Sequence, residues 1–299
     1  GELPDDARRQ AVRAELLGEE AERQFVLYPT RAIRRKNLGE LAFWAAVGGG
    51  ETLFATSLTP KNPEAQPIHE RWVQFVGEQG LPVRFGLGEN SSGGFAEVMS
   101  AADYTITTSV AEGFGMAFLE PWLYGKVLLG RNLPEVTGGF TGHGIRLDHL
   151  YPRLMVPREW VDQDQLRQAL QESLEAAYRD YGKDLPVDAV ERALTGMSAE
   201  GRLDFGRLNE PLQEQAIQRA VREKTGFTPE RLEPGSVRGV VEANAAAVRQ
   251  HFSVRSYGER LMTLYQQLAD APYASPESLD PGAVLEAFLQ PERFNLLRS

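Results

Sequence analysis

The chain has no cysteine among its 299 residues. Disulfides and thiolate metal sites are therefore excluded, and the absence fits a reducing compartment. Histidine is almost as scarce. His69, His143, His149 and His251 are scattered, too far apart in sequence to suggest a zinc site. No apolar run approaches the ~20 residues a membrane span requires, and no secretory leader opens the chain. Positive charge is thin: 32 Lys and Arg against 42 Asp and Glu leave a net charge of −10. Nucleic-acid binding needs a basic face, and this balance argues against one. A small anionic ligand is not excluded, because two or three local cations suffice for it. These absences imply a soluble, cytoplasmic protein. The first residue is Gly1 rather than Met, which implies a processed or trimmed piece.

What is present is an ordinary globular composition, 42% hydrophobic and 25% charged, able to bury a core without staples. Residues 4–17 read as an amphipathic helix with Asp5 and Asp6 in its acidic first turn. Short apolar runs at 25–28, 52–58, 83–85, 104–108 and 127–129 then read as strands. Helical patterns at 36–47, 66–79, 94–102 and 115–124 separate them, the first ending in Gly48-Gly49-Gly50. Strands that are apolar throughout predict a parallel sheet with helices on both faces, an α/β Rossmann-like unit. In open sheets of this kind ligands bind beyond the carboxyl ends of the strands, which selects the loops at 30–35, 59–64, 86–92 and 109–114.

Beyond about residue 150 the strands are expected to stop. A helix over 163–180 carries Leu166, Leu170, Leu174 and Ala177 on one stripe. The polar segment 186–235, punctuated by Gly and Pro, reads as an insertion or helical appendage with helices near 187–195 and 209–224. Helices at 237–251 and 254–269 follow, the second with Ser253 as N-cap, and a short one at 282–290 ends the chain. The expected division is a leading helix at 1–19, a Rossmann-like domain at 20–160 and a helical extension at 161–299.

Two stretches carry chemistry. In the first, a strand runs into Glu112-Gly113-Phe114-Gly115 and then a helix begins. Glycines at such a junction allow unusual backbone angles and close ligand approach, and a helix start offers free N–H groups to an anion. Glu120 interrupts an apolar series. A buried carboxylate needs partners, and a ribose hydroxyl pair, a neighbouring arginine or water would each serve. Glu112 alone is also what a helix dipole favours. The second stretch is Arg31-Ala32-Ile33-Arg34-Arg35-Lys36, four cations in six residues of an acidic chain. It reads either as a solvated turn or as a diphosphate grip, for which an arginine fork and a lysine point charge are suited.

Glu112 to Glu120 (EGFGMAFLE) resembles the E-x7-E signature of the family 4 (group 1) and glycogen-synthase-like retaining glycosyltransferases, which have two-domain GT-B folds. The flanks agree: Thr107-Thr108-Ser109 before it, Gly125 before the next strand, and Pro134-Glu135 beyond. Residues 30–37 resemble the G-R-L-x-x-x-K-G element of the same domain, with Thr30 and Asn37 where glycines are usual. Asn244, Phe252-Ser253, Tyr257 and Tyr265 resemble the closing helices. Pro121 and Lys126 depart from the pattern. The resemblance spans most of 20–150 and about 240–268, and 186–235 matches nothing.

That resemblance implies a retaining hexosyltransferase that uses a nucleoside-diphosphate sugar as substrate, with no dedicated metal or other cofactor. Arg31 and Lys36 would hold the diphosphate, Glu112 the donor sugar, and Glu120 the ribose. Gly113, Phe114, Gly115 and Met116 would line the site. The acceptor is undefined. The family's N-terminal acceptor domain has no room in 299 residues, so it belongs to a longer chain or a separate one, and this chain alone should bind donor with little transfer. Two rivals stay open. One is a non-catalytic nucleotide-sugar-binding module. The other is a Rossmann oxidoreductase, suggested by Gly86-Leu87-Gly88-Glu89-Asn90-Ser91, in which the third glycine is replaced by Ser91 and the loop follows the third strand. A sugar phosphorylase on the same architecture is a weaker third option. His143 and His149 read chiefly as structural or solvent-facing.

Overall fold

The computed structural model describes residues 3–48, 50–223, 238–272 and 278–298. Residues 224–237 lie outside the described residues. They include the end of the 186–235 segment and the first residue of the expected 237–251 helix. Gly49 lies outside them as well. Five strands build the main sheet: β1 (Gln24–Arg31), β2 (Thr52–Leu58), β3 (Val83–Arg84), β4 (Tyr104–Thr107) and β5 (Leu128–Gly130). Every pairing is parallel, in the order β3-β2-β1-β4-β5, so the expected α/β sheet is present. Successive side chains of a strand alternate between faces. Accordingly Phe25 and Leu27 of β1 join one core cluster while Val26 and Tyr28 join the other.

Helix α1 (Asp6–Leu17) begins where Asp5 accepts a hydrogen bond from the Arg8 N–H at 2.8 Å. The first face is covered by Val12, Leu16 and Leu17 of α1 and by Val98 and Met99 of α4 (Phe95–Ala101). On the second face lie α2 (Leu38–Val47) and α3 (Gln66–Gln79), with Trp72 and Phe75 of α3 packed edge to face. From β1 the chain winds outward through β2 and β3, then returns to place β4 on the other flank of β1. The winding therefore reverses between β1 and β4, and a crevice at such a reversal is where open sheets bind ligands.

Two expectations need correction. The segment read as a helix at 115–124 is a 3-10 turn (Met116–Phe118) followed by the single-turn helix α5 (Glu120–Leu123). Pro121 lacks the N–H that would continue a longer helix, so the anion-binding helix start expected there is absent. The strands also do not stop at residue 150. After α6 (Pro134–Thr141) comes β6 (Met155–Pro157), which with β7 (Ser198–Ala199) and β8 (Arg202–Asp204) forms a small antiparallel sheet in the order β6-β8-β7. Strands of two or three residues are too short to show a period.

The region expected to be an appendage packs into the core. Helix α7 (Gln163–Asp180) buries Leu166, Leu170 and Leu174, and is followed by α8 (Ala189–Met197) and α9 (Glu210–Glu223). Eight consecutive residues of α2, Leu38 to Ala45, are buried. A helix apolar all round must be covered on every side. The sheet covers one side, and α9 lies against another with Leu212, Ala216 and Ile217, in the same cluster as the strands. The chain continues through α10 (Val241–His251), α11 (Val254–Asp270) and α12 (Pro281–Phe288). Ser253 caps α11 as expected, its Oγ accepting from the Ser256 N–H at 3.2 Å.

The core also holds a buried ionic network. Arg131, just past β5, is 4% exposed and Glu40 of α2 is 0% exposed. The Arg131 Nη2 lies 2.6 Å from Glu40 Oε2 and 3.0 Å from Asp204 Oδ1. Tyr151 donates to Glu40 at 2.8 Å and receives the Trp44 indole N–H at 2.8 Å. Asn37 donates to Glu40 at 2.8 Å and accepts from Gln213 of α9 at 2.9 Å. Gly206 leaves the room, since a Cβ there would stand 2.3 Å from the guanidinium. Removing one partner of a buried pair strands the other charge. We expect Arg131→Met to cost about 3–5 kcal/mol in urea unfolding at neutral pH. A loss below ~1 kcal/mol would show that the network does not hold the layers together.

Candidate functional site

The loops leaving β1 and β4 meet at the reversal point. Between Tyr28 and Arg31 the pairing of β1 with β2 slips, at Pro29, which has no N–H to offer. A 3-10 turn (Arg34–Lys36) follows, closed by Asn37 in the left-handed region at φ 52° and ψ 62°. Asn is among the few residues besides Gly that tolerate this conformation, so Asn37 supports the turn without a glycine. The post-β4 loop is tied to this turn. Val110 N–H donates to the Arg35 carbonyl at 3.0 Å, and the Thr108 hydroxyl is shared between the carbonyls of Lys36 (2.8 Å) and Asn37 (3.1 Å).

Across this seam Lys36 Nζ contacts Glu112 Oε1 at 2.5 Å. The pair is largely dehydrated, the two side chains being 12% and 8% exposed. The same Oε1 accepts from Ser109 Oγ at 2.6 Å, and Ser109 Oγ is 2.5 Å from the fully buried Tyr28 hydroxyl. Burial pushes the Tyr28 phenol well above its ordinary range; it therefore stays a neutral hydrogen-bonding group. The sequence placed Tyr28 only in a strand and Thr108 and Ser109 only as flanks of the motif, without the supporting roles they have here. Only the three-residue spacing of Ser109 to Glu112 signalled one of them.

The basic turn divides its charges. Arg34 is turned inward, its Nε and Nη2 donating to the carboxylate of Glu210 at 2.8 and 3.1 Å and to the Leu296 carbonyl at 3.1 Å. Arg35 is exposed. Arg31 is half-buried and makes one long contact, 3.4 Å to the Thr59 carbonyl. Thr59 in turn donates from N–H and Oγ1 to Glu89 at 2.9 and 2.6 Å, and these bonds, then Arg31, hold the Glu89 carboxyl below its ordinary range. The glycines of the 86–88 loop have packing reasons. A Cβ on Gly86, at φ 70°, would meet the Thr59 methyl at 2.6 Å, and one on Gly88 would reach the Ser57 carbonyl at 3.0 Å.

In the loop after β4, Gly115 has φ 71°, and a Cβ there would sit 2.5 Å from Val136. Gly113 faces open space, Phe114 is 89% exposed and Met116 51%. Glu120 is half-buried, burial raises its carboxyl above the ordinary range, and no described residue donates a hydrogen bond to it. No hydrogen bond or ion pair among the described residues joins Arg31 or Glu120 to the Lys36–Glu112 pair, so of the four carried by the resemblance only those two touch. Among the described residues no three His, Asp or Glu side chains gather as metal ligands. His149 Nε2 lies 2.8 Å from the Leu128 carbonyl with its ring edge-on to Trp122. His143 stacks near His251 and Phe252.

No family model matches the chain. A stretch of 112 residues, 37% of this chain, is 30% identical to the mannosylglucosyl-3-phosphoglycerate synthase of Petrotoga mobilis, of which it covers 22%. Among solved structures, Anabaena HepE in complex with UDP-glucose aligns with 88% of this chain and 54% of its own at 16% identity and TM-score 0.47. The sucrose-phosphate synthase of Thermosynechococcus elongatus aligns over 88% and 49% at 17% identity and TM-score 0.46. The chain thus spans about half the length of these structures. No helix among the described residues is long and apolar enough to cross a membrane.

Lys126, a departure from the resembled pattern, ends α4. It is buried, and its Nζ donates to the carbonyls of Ser100 at 2.8 Å and Ala102 at 2.5 Å, the last groups of a helix that otherwise lack partners. Burial lowers its pKa from 10.5 to about 8. Between these values the unfolded chain binds the extra proton, so folding stability rises with pH across the window. Compared with Lys126→Met, the native chain should gain up to about 3 kcal/mol from pH 8 to pH 10.5. Parallel urea-unfolding profiles of the two proteins over that range would exclude this.

Proposed function

We propose that this chain supplies the donor site of a GT-B retaining glycosyltransferase of the family 4 (group 1) kind, acting on a nucleoside-diphosphate sugar. The observation that carries the reading is the meeting of Lys36 and Glu112, 76 positions apart, at 2.5 Å over the sheet's reversal point. The resemblance assigns the two residues separately, to the diphosphate and to the sugar. The half-buried Glu120, which no described residue donates to, adds support, since a carboxylate with open acceptor positions is suited to ligand hydroxyls.

In this reading Arg31 and Lys36 neutralise charge growing on the leaving diphosphate, which is electrostatic transition-state stabilisation. Glu112 receives sugar hydroxyls, Glu120 receives the ribose, and the backbone of Gly113 to Gly115 approaches the sugar or phosphate, with Phe114 and Met116 at the rim. The acceptor is bound by a further domain, in the same polypeptide or another, and the chain alone binds donor without efficient transfer. The dinucleotide-binding alternative loses its main support, because Gly86 and Gly88 are explained by the packing of their loop against Ser57 and Thr59 at the end of β2.

Calorimetric titration of UDP-, GDP- and ADP-glucose into the purified chain tests the proposal. One nucleotide class should bind, and Glu120→Ala and Arg31→Ala should each weaken it by about tenfold, ~1.4 kcal/mol. Binding of NAD instead, indifferent to Glu120→Ala, would replace the donor site with an oxidoreductase.

A further inference from the structure

The Lys36–Glu112 contact has a consequence for which ligand the site prefers. Both charges are nearly dehydrated, and an anion entering beside Lys36 meets a carboxylate already on that ammonium. Like charges at this range repel by an amount equivalent to a severalfold change in affinity even when well screened. Glu112 does not readily swing away. Ser109 donates to its Oε1, Ser109 is fully buried, and the buried Tyr28 hydroxyl lies against Ser109. Both contacts converge on Oε1, and no described residue donates to Oε2, which leaves its lone pairs for a ligand's hydroxyls.

We infer that Glu112 is a built-in counter-anion that sets the site's preference for intact donor over the released nucleoside diphosphate. The inference rests on the donor-site reading above. A bare diphosphate must share Lys36 with Glu112 and gains nothing from the carboxylate. A donor carries sugar hydroxyls that donate to Oε2, and these bonds offset the repulsion. The spent nucleotide is therefore held less tightly than the donor, by the group that also orients the sugar. Ser109 and Tyr28 are positioning residues in this arrangement, since they keep the carboxylate against Lys36.

The test is titration of UDP, GDP and ADP, each paired with its glucose conjugate, into the native chain, Glu112→Gln and Glu112→Asp. Glu112→Gln removes the charge at constant shape. It should bind the matching bare diphosphate about fivefold more tightly and its glucose conjugate no more tightly than the native chain does, so that the preference for donor narrows. Glu112→Asp keeps the charge and loses reach. Weaker donor binding with no gain for the diphosphate is expected there, which separates charge from hydrogen bonding should either variant be less stable. If Glu112→Gln weakens diphosphate and donor alike, the pair is a joint anion cradle and the inference is overturned while the donor site stands. If the native chain binds none of the six ligands, the donor-site reading fails and the inference with it.

Discussion

Arg131 is a cation with nowhere to put its charge except on two carboxylates brought to it from distant parts of the chain. It stands at the end of β5. Glu40 reaches it from α2 and Asp204 from β8, and Tyr151 completes the shell. Such a group is costly to desolvate and tolerable only when its geometry is complete. Its completeness therefore requires the parallel sheet, the buried helix and the small antiparallel sheet to be docked at once. The network also reaches the candidate site. Asn37 gives its amide N–H to Glu40 and its carbonyl to Gln213, and its left-handed backbone is the corner of the turn that presents Lys36. A glycine would supply the backbone angle but neither hydrogen bond. With Asn, the turn is anchored to α9 as well as to α2, so the position of Lys36 depends on parts of the chain beyond the sheet.

The same accounting shows how the basic turn of this acidic chain divides its charges. Of the four cations in the basic turn, Arg34 is committed to Glu210 and the Leu296 carbonyl, and Lys36 is matched by Glu112. Arg31 and the exposed Arg35 are the ones whose charge no ion pair among the described residues opposes. The stretch looked like four equivalent positive charges in sequence, and the fold divides it into one arginine bound between layers, one lysine matched by a carboxylate and two cations without an ion pair among the described residues. A basic run thus overstates the potential available when some of its members serve as bolts between layers.

How much could be read beforehand follows from the size of each signal. The five parallel strands were legible because each is an apolar run set between helical patterns, and the capping role of Ser253 was legible because N-caps depend on local residue type, although Asp5, read as part of the first turn, is the N-cap of α1. The loops chosen for the site include those that meet at the reversal point, because strand order follows from winding rules. The antiparallel strands β6 to β8 were not legible, being two or three residues long. Nor was the docking of α9 on α2, although its signal was present: Leu-Gly-Glu-Leu-Ala-Phe-Trp-Ala-Ala-Val has no polar face, and such a helix demands cover on every side. Glu40 was the polar exception in that run. Its partner Arg131 lies 91 positions away, a distance at which a pairing leaves no mark in one sequence.

Pro121 shows how a departure from a familiar pattern shapes chemistry it does not touch. Standing in the first turn of α5, it cannot continue the Met116–Phe118 turn, so Glu120 opens a short separate helix between buried neighbours, Leu119 and Trp122. A longer helix would offer a carboxylate there neighbours one turn away, at i+4. Here the residue at that position is Tyr124, whose phenol is pushed up by burial and by Glu120's own charge. The carboxylate thus stays half-desolvated without a described donor, an arrangement that costs the fold stability and that hydroxyl donors would relieve. Glu112 is already engaged by Lys36 and Ser109, whereas in the proposed site Glu120 would gain its first hydrogen bonds from the ligand. In the proposed donor site the two glutamates of one nine-residue stretch would therefore play opposite parts in the energetics of binding, one opposing the charge of what enters and the other receiving its hydroxyls.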